Sequence, residues 1–126
     1  MNIVGRISQV AAGAWILNVW FHRFDKDTGY RGGGAKNMRE EFQNYGLPPA
    51  AMYTVGAIKV SLALMMIIGT RFPRLTRPAS IGLALFMLGA IAAHLKVNDP
   101  IKRSAPAISV LSLSVLAAIL ADQRGD

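Results

Sequence analysis

A chain of 126 residues with no cysteine, a net charge of +7 and 52% apolar residues has room for one domain. It offers no disulfide, thiolate nucleophile or cysteine-held metal cluster. Its mean hydropathy of +0.34 comes from nearly continuous apolar runs, which favour lipid as the solvent, and basic residues flanking those runs read as headgroup contacts, so nucleic acid is not the expected partner.

The apolar runs cover residues 3–21, 50–69, 78–95 and 105–121. Each is long enough to cross a hydrocarbon layer of about 30 Å as a helix. The expected fold is therefore all-α: an integral membrane four-helix up-down bundle in a single domain, with the lipid bilayer as its first partner. The first run is read as a retained span, because no small-residue cleavage site follows it; His22, Arg23 and Phe24 come next. Trp20 and Phe21 mark its interfacial end.

Residues 22–49 form the longest polar stretch. Its first half is turn material, and the triple glycine Gly32, Gly33, Gly34 lacks the strand and helix of a phosphate-binding loop, so it reads as a flexible connector. Over 35–45 Met38, Phe42 and Tyr45 recur at helical spacing among charged residues, which predicts a short amphipathic helix ended by Gly46. Pro48 and Pro49 then open the second span. In the third span Gly82, Phe86, Gly89 and Ala93 form a small-residue seam.

The connections after the first and third spans share one side of the membrane. They carry Arg23, Lys26, Arg31, Lys36, Arg39, Lys96, Lys102 and Arg103 against Arg6, Arg71, Arg74, Arg77 and Arg124 on the other. The count and the density of arginines in 70–77 point in opposite directions, so orientation is left open, but His22, Arg23, His94 and Asp99 fall together on one side.

Lys59, in the middle of the second span, is the most costly residue. A mid-span charge costs about 2.5–3.5 kcal/mol on insertion scales, and no Asp or Glu lies within the four runs. Glu40 and Glu41 are the carboxylates expected to reach it. The functional reading makes Lys59 the polar floor of a ligand pocket; the bland one makes it an anchor between helices. His94, ending the third span, is a second candidate, as a hydrogen-bond partner for a quinone, a proton relay or, less favoured, an axial ligand for a tetrapyrrole; the bland reading, preferred for His94 taken alone, makes it an interfacial histidine bonded to a backbone carbonyl or to Asp99. Among the aromatic residues, Tyr53 and Trp15 are the ones expected beside Lys59. His22, Arg23, Glu40, Glu41 and Asp99 form the expected polar or partner cluster. A metal site from His22, His94 and Asp99 is the minor alternative, and no metal is expected.

The string Phe42-Gln-Asn-Tyr45-Gly46-Leu47-Pro48 resembles the entry to the second helix of the DoxX-like family. Gly56 with an ionisable residue three positions on, Gly69, Leu88-Gly89-Ala90, and His94 through Asp99-Pro100 into Ala105-Pro106 resemble it too, over roughly 43–120. Relatives look to carry Glu where Lys59 stands. The resemblance implies a compact four-helix bundle. Because the family name comes from a subunit of a thiosulfate:quinone oxidoreductase, it also implies a non-catalytic subunit of a membrane redox or quinone-linked assembly. A quinone or lipid is then the expected ligand, other membrane subunits or a second copy the expected partners, and the bacterial inner membrane the expected location. A small-solute or anion transporter using Lys59, and a membrane chaperone or structural subunit, are the competing readings. No nucleophile–base pair or phosphate loop points to a stand-alone enzyme.

Overall fold

The computed structural model of the chain describes residues 2–121. Five α-helices follow one another: α1 Ile3–Leu17, α2 Met38–Asn44, α3 Pro49–Ile68, α4 Thr76–Lys96 and α5 Ala105–Ile119. No strand occurs among the described residues. α1 packs on α3 and α5, and α4 packs on the same two helices, so the four longer helices close on a shared core. α2 packs on α3 and on a tight turn over Gly32–Gly34, which also reaches α4.

Three helical stretches are long and apolar enough to cross a membrane: Pro49–Ile68, Pro73–Lys96 and Ile101–Ile119. They answer the runs at 50–69, 78–95 and 105–121, the last two lengthened by short 3-10 turns at Pro73–Leu75 and Ile101–Ser104. The span expected at 3–21 is not among them. Its α-helix stops at Leu17 and widens into a π-turn over Asn18–His22, and Arg6, Ser8, Gln9 and Asn18 dilute its apolar content. The all-α architecture stands, with five α-helices among the described residues, three of them in stretches of membrane length.

Local chemistry sets the boundaries. The side chain of Asn2 accepts from the first amides of α1, and Pro49 opens α3 where its missing N–H costs nothing. The helix expected at 35–45 is the shorter α2. Asn37 caps it by accepting from the Glu40 amide at 2.9 Å, and Glu40 reaches back to the Lys36 amide at 3.2 Å. Gly46, at φ 78°, turns the chain out of the helix while Leu47 N–H bonds the Phe42 carbonyl at 2.9 Å.

The core mixes large apolar side chains such as Met52, Met66 and Leu83 with small residues and one buried amide. Ala12, Ala63, Ala79 and Ala117 are fully enclosed, which lets the helix backbones approach closely. A Cβ on Gly13 would stand 2.7 Å from the Ala63 carbonyl oxygen of α3, and one on Gly56 would stand 2.4 Å from the Trp20 ring. Gln9 of α1, wholly buried, donates to the Met66 carbonyl at 2.8 Å and the Thr76 hydroxyl at 3.3 Å, tying α1 to α3 and α4. The expected seam on α4 splits in two. Gly82 meets Leu62 of α3, whereas Gly89 faces open space.

Gly13→Ala must push α1 off α3, because the obstacle is backbone. It should destabilise the protein by about 1–3 kcal/mol, whereas Gly89→Ala should be neutral or add up to about 1 kcal/mol through helix propensity. Thermal melts in detergent check the pair, and a Gly13→Ala variant that melts with the wild type would refute the close-contact account.

Candidate functional site

A cavity of about 350 Å³ lies at the end of the bundle where α1 finishes, α3 and α5 begin and α4 ends. Its walls are apolar: Ile16 and Val19 near the end of α1, Phe86 and Met87 of α4, Val110 of α5. Trp15 and Trp20 both line it. In an unbroken α-helix two residues five apart would lie about 140° round the axis from each other. The π-turn after Leu17 carries Trp20 inward, where it is 8% exposed, and leaves Phe21 outside. π-turns of this kind are frequent at functional sites. Gly56 supplies the room the indole needs.

Loop 1 and α2 cover the cavity with Thr28, Tyr30, Arg31, Glu41 and Tyr45. Two carboxylates fasten this cover. Glu41 accepts from Arg31 at 2.9 Å, from the Gly32 amide at 2.9 Å and from the Tyr45 hydroxyl at 2.9 Å. Asp99, in the α4–α5 connection, accepts from the Gly33 amide at 3.0 Å, from Arg103 at 2.6 Å and pairs with His94 Nδ1 at 2.7 Å. The triple glycine is therefore an anchored turn, contrary to the flexible connector expected. Gly33 and Gly34 adopt φ of 65° and 75°, a region costly for residues with a Cβ. That conformation presents consecutive amides to the two acids. Arg31 also donates to the carbonyls of Lys26 and Arg23. Lys96 holds the Tyr45 carbonyl at 2.8 Å, and the Tyr45 and His94 rings meet edge to face.

Burial, the nearby Glu41 charge and the hydrogen bond to Glu41 push the Tyr45 phenol far up, so it remains a donor. For Asp99 burial alone would raise the carboxyl. The hydrogen bonds from His94, Gly33 and Arg103, with the Arg103 charge, outweigh it and hold Asp99 below the usual carboxylate range.

Lys59 lines the cavity between these elements. Its ammonium sits 5.9 Å from the Trp20 ring centroid, in cation–π contact. It forms no hydrogen bond or ion pair among the described residues. Glu41 lines the same cavity but is engaged by Arg31, Gly32 and Tyr45.

Of the residues singled out from sequence, Lys59, His94 and Trp15 meet at the cavity. Tyr53 does not: it is 55% exposed and stands beside Arg39 on the outer surface. Glu41 and Asp99 are the two anchors of the cover. Glu40 is exposed and serves the N-terminus of α2 instead of reaching Lys59. Arg23 offers its carbonyl to Arg31, and its Nε is buried without a partner among the described residues. His22 is exposed and outside the cluster. Among the described residues no group of three His, Asp or Glu side chains converges as a metal site would require. Arg31, Tyr45 and Arg103 hold or line the site but are not among the candidate site residues expected from sequence. The available signal was Arg31 directly before three glycines, a cation placed to fix a turn.

A family model described as the DoxX-like family matches residues 32–119. No curated protein and no solved structure matches the chain. The matched region begins at Gly32 and holds Lys59, His94 and both anchoring acids, whereas α1, Trp15, Trp20 and Arg31 lie before it.

Because Asp99 ionises below the ordinary carboxyl value of 3.8 in the folded protein, its contribution to stability is complete above that value and is lost as pH falls through the lowered one. Asp99→Asn should lower the melting temperature at neutral pH. Wild-type and variant melting curves should converge on acidification; a constant gap down to strongly acid pH would refute the assignment.

Proposed function

We propose that this chain, which belongs to the DoxX-like family, is a non-catalytic membrane subunit that holds an amphipathic molecule, a quinone or a lipid, in the cavity beneath loop 1. Family membership is the first support. The observation that carries the reading is the cavity itself: about 350 Å³, walled mainly by apolar side chains and holding a few polar ones, Lys59, His94 and Glu41 among them, the composition by which small-molecule sites bury a body and fix its orientation. Trp15 and Trp20 offer flat apolar surface, and Lys59 with His94 offers donors for a ligand oxygen. Among the described residues no serine or threonine hydroxyl is hydrogen-bonded to a side-chain base, which favours binding over turnover.

In this reading α1 with its π-turn is a fourth span beside the three helices of membrane length, and the four longer helices make a four-span bundle in the bacterial inner membrane. The exposed apolar side chains Leu85, Leu88 and Leu95 of α4 and Ile119 of α5 meet lipid or neighbouring subunits. The redox or quinone link rests on the resemblance to a family named for an oxidoreductase subunit.

Gly89 provides the test, because a side chain there enters open space at the cavity wall. Protein purified from native membranes should carry near-stoichiometric quinone or lipid on solvent extraction, and Gly89→Leu should lose at least about tenfold of it while remaining folded. Wild-type protein that isolates alone and yields no bound amphiphile would overturn the reading.

A further inference from the structure

Charge at the cavity end does not balance among the described residues. Three cations bear on it: Arg31, Lys59 and Arg103. Two carboxylates answer them, and each is already engaged. Glu41 is taken by Arg31, the Gly32 amide and the Tyr45 hydroxyl, and Asp99 by Arg103, the Gly33 amide and His94. The other described acids do not serve the site. Glu40 caps α2, and Asp25 and Asp27 are exposed in loop 1. Lys59 is left with the face of Trp20.

An ammonium in a site walled by apolar side chains is expensive without a counter-charge. A cation–π contact offsets part of that cost and leaves the N–H donors unfilled. Apolar side chains, Ile16, Val19, Phe86 and Val110 among them, wall the same cavity as the amine. From this arrangement we infer that the natural occupant is an amphiphile with one ionised acidic head, paired with Lys59, and an apolar tail laid along α1, α4 and α5. The inference rests on the cavity being a ligand site and narrows its ligand from any quinone or lipid to one bearing a single negative charge. A neutral quinone would leave the charge of Lys59 uncompensated; an acidic head supplies the missing charge and accepts its hydrogen bonds in one group.

The protein carries its own reporter, because its only two tryptophans, Trp15 and Trp20, both line the cavity. The experiment uses the full chain in phosphatidylcholine nanodiscs at alkaline pH. It titrates a bromine-labelled medium-chain fatty acid against the bromine-labelled alcohol of the same length, compared at equal mole fraction in the disc, and reads tryptophan quenching. The acid should quench at a mole fraction at least about tenfold lower than the alcohol. Lys59→Met should erase that preference, and Lys59→Arg should keep it. Replacing part of the phosphatidylcholine with an anionic phospholipid separates the two sources of such a head: loss of the fatty-acid signal assigns the site to a lipid headgroup, and its survival assigns the site to the free acid. Equal quenching by acid and alcohol in the wild type, or a preference that persists in Lys59→Met, overturns the acidic-head inference and leaves the cavity as a site for neutral amphiphiles. Quenching by neither probe overturns the ligand site itself.

Discussion

Irregular backbone at the end of an apolar bundle must find its hydrogen bonds inside the protein, and here two carboxylates provide them. Polar backbone groups without partners cost several kcal/mol in an apolar medium. The turn at Gly32–Gly34 exposes amides that no helix can satisfy. Glu41 from α2 and Asp99 from the α4–α5 connection meet them one residue apart. Each acid also takes a guanidinium, so the same two groups neutralise Arg31 and Arg103. The cover over the cavity is thus fixed by charge-assisted hydrogen bonds, and the chain can carry a long first connection without leaving it loose.

That solution fixes the electrostatics of the cavity. Once Glu41 and Asp99 are committed to the turn, neither forms an ion pair with Lys59, although Glu41 shares its cavity. Two acids that could have neutralised the amine are spent on architecture. The amine instead lies against Trp20, whose position depends on the π-turn that ends α1 and on the missing side chain at Gly56. A helix irregularity, a glycine and an unpaired cation are one arrangement and not three separate oddities.

Much of this was legible in the sequence, and the reasons differ by residue. The three long helices follow from uninterrupted apolar runs, a signal that requires no partner to read. α2 was visible through Met38, Phe42 and Tyr45 at helical spacing. Lys59 was marked by its cost, a charge with no acid in its own span, and His94 by its place at a helix end. The first helix is less legible, because residue counts cannot show a π-turn and because Arg6, Gln9 and Asn18 bring its apolar content below that of the other three. Nothing in the residues around Gln9 marks it, yet it bonds α1 to α3 and α4. The triple glycine was read from composition as slack. Its order comes from partners at Glu41 and Asp99, the latter 66 positions away, and no local pattern announces a contact at that separation. Tyr53 was placed at the pocket by proximity in sequence to Lys59; six residues along a helix turn it outward to Arg39.

The two ends of the bundle divide the labour. At the end holding Gln9, Thr76 and Ser80, small residues and interhelical hydrogen bonds bring backbones together, with Ala63, Met66 and Leu83 fully enclosed. At the other end large rings hold the helices apart: Trp20, Phe42 and Tyr45 contact one another in sequence and end on His94. Close packing below and aromatic spacers above leave the larger described void where α4 carries Gly89 and Ala90 instead of bulk. Interiors close-pack by default, so a void retained beside an ammonium, under a cover held by two acids, is better explained by an occupant than by poor packing. Trp15, Trp20 and Lys59 all line that void, and His94 beside them turns its Nδ1 to Asp99.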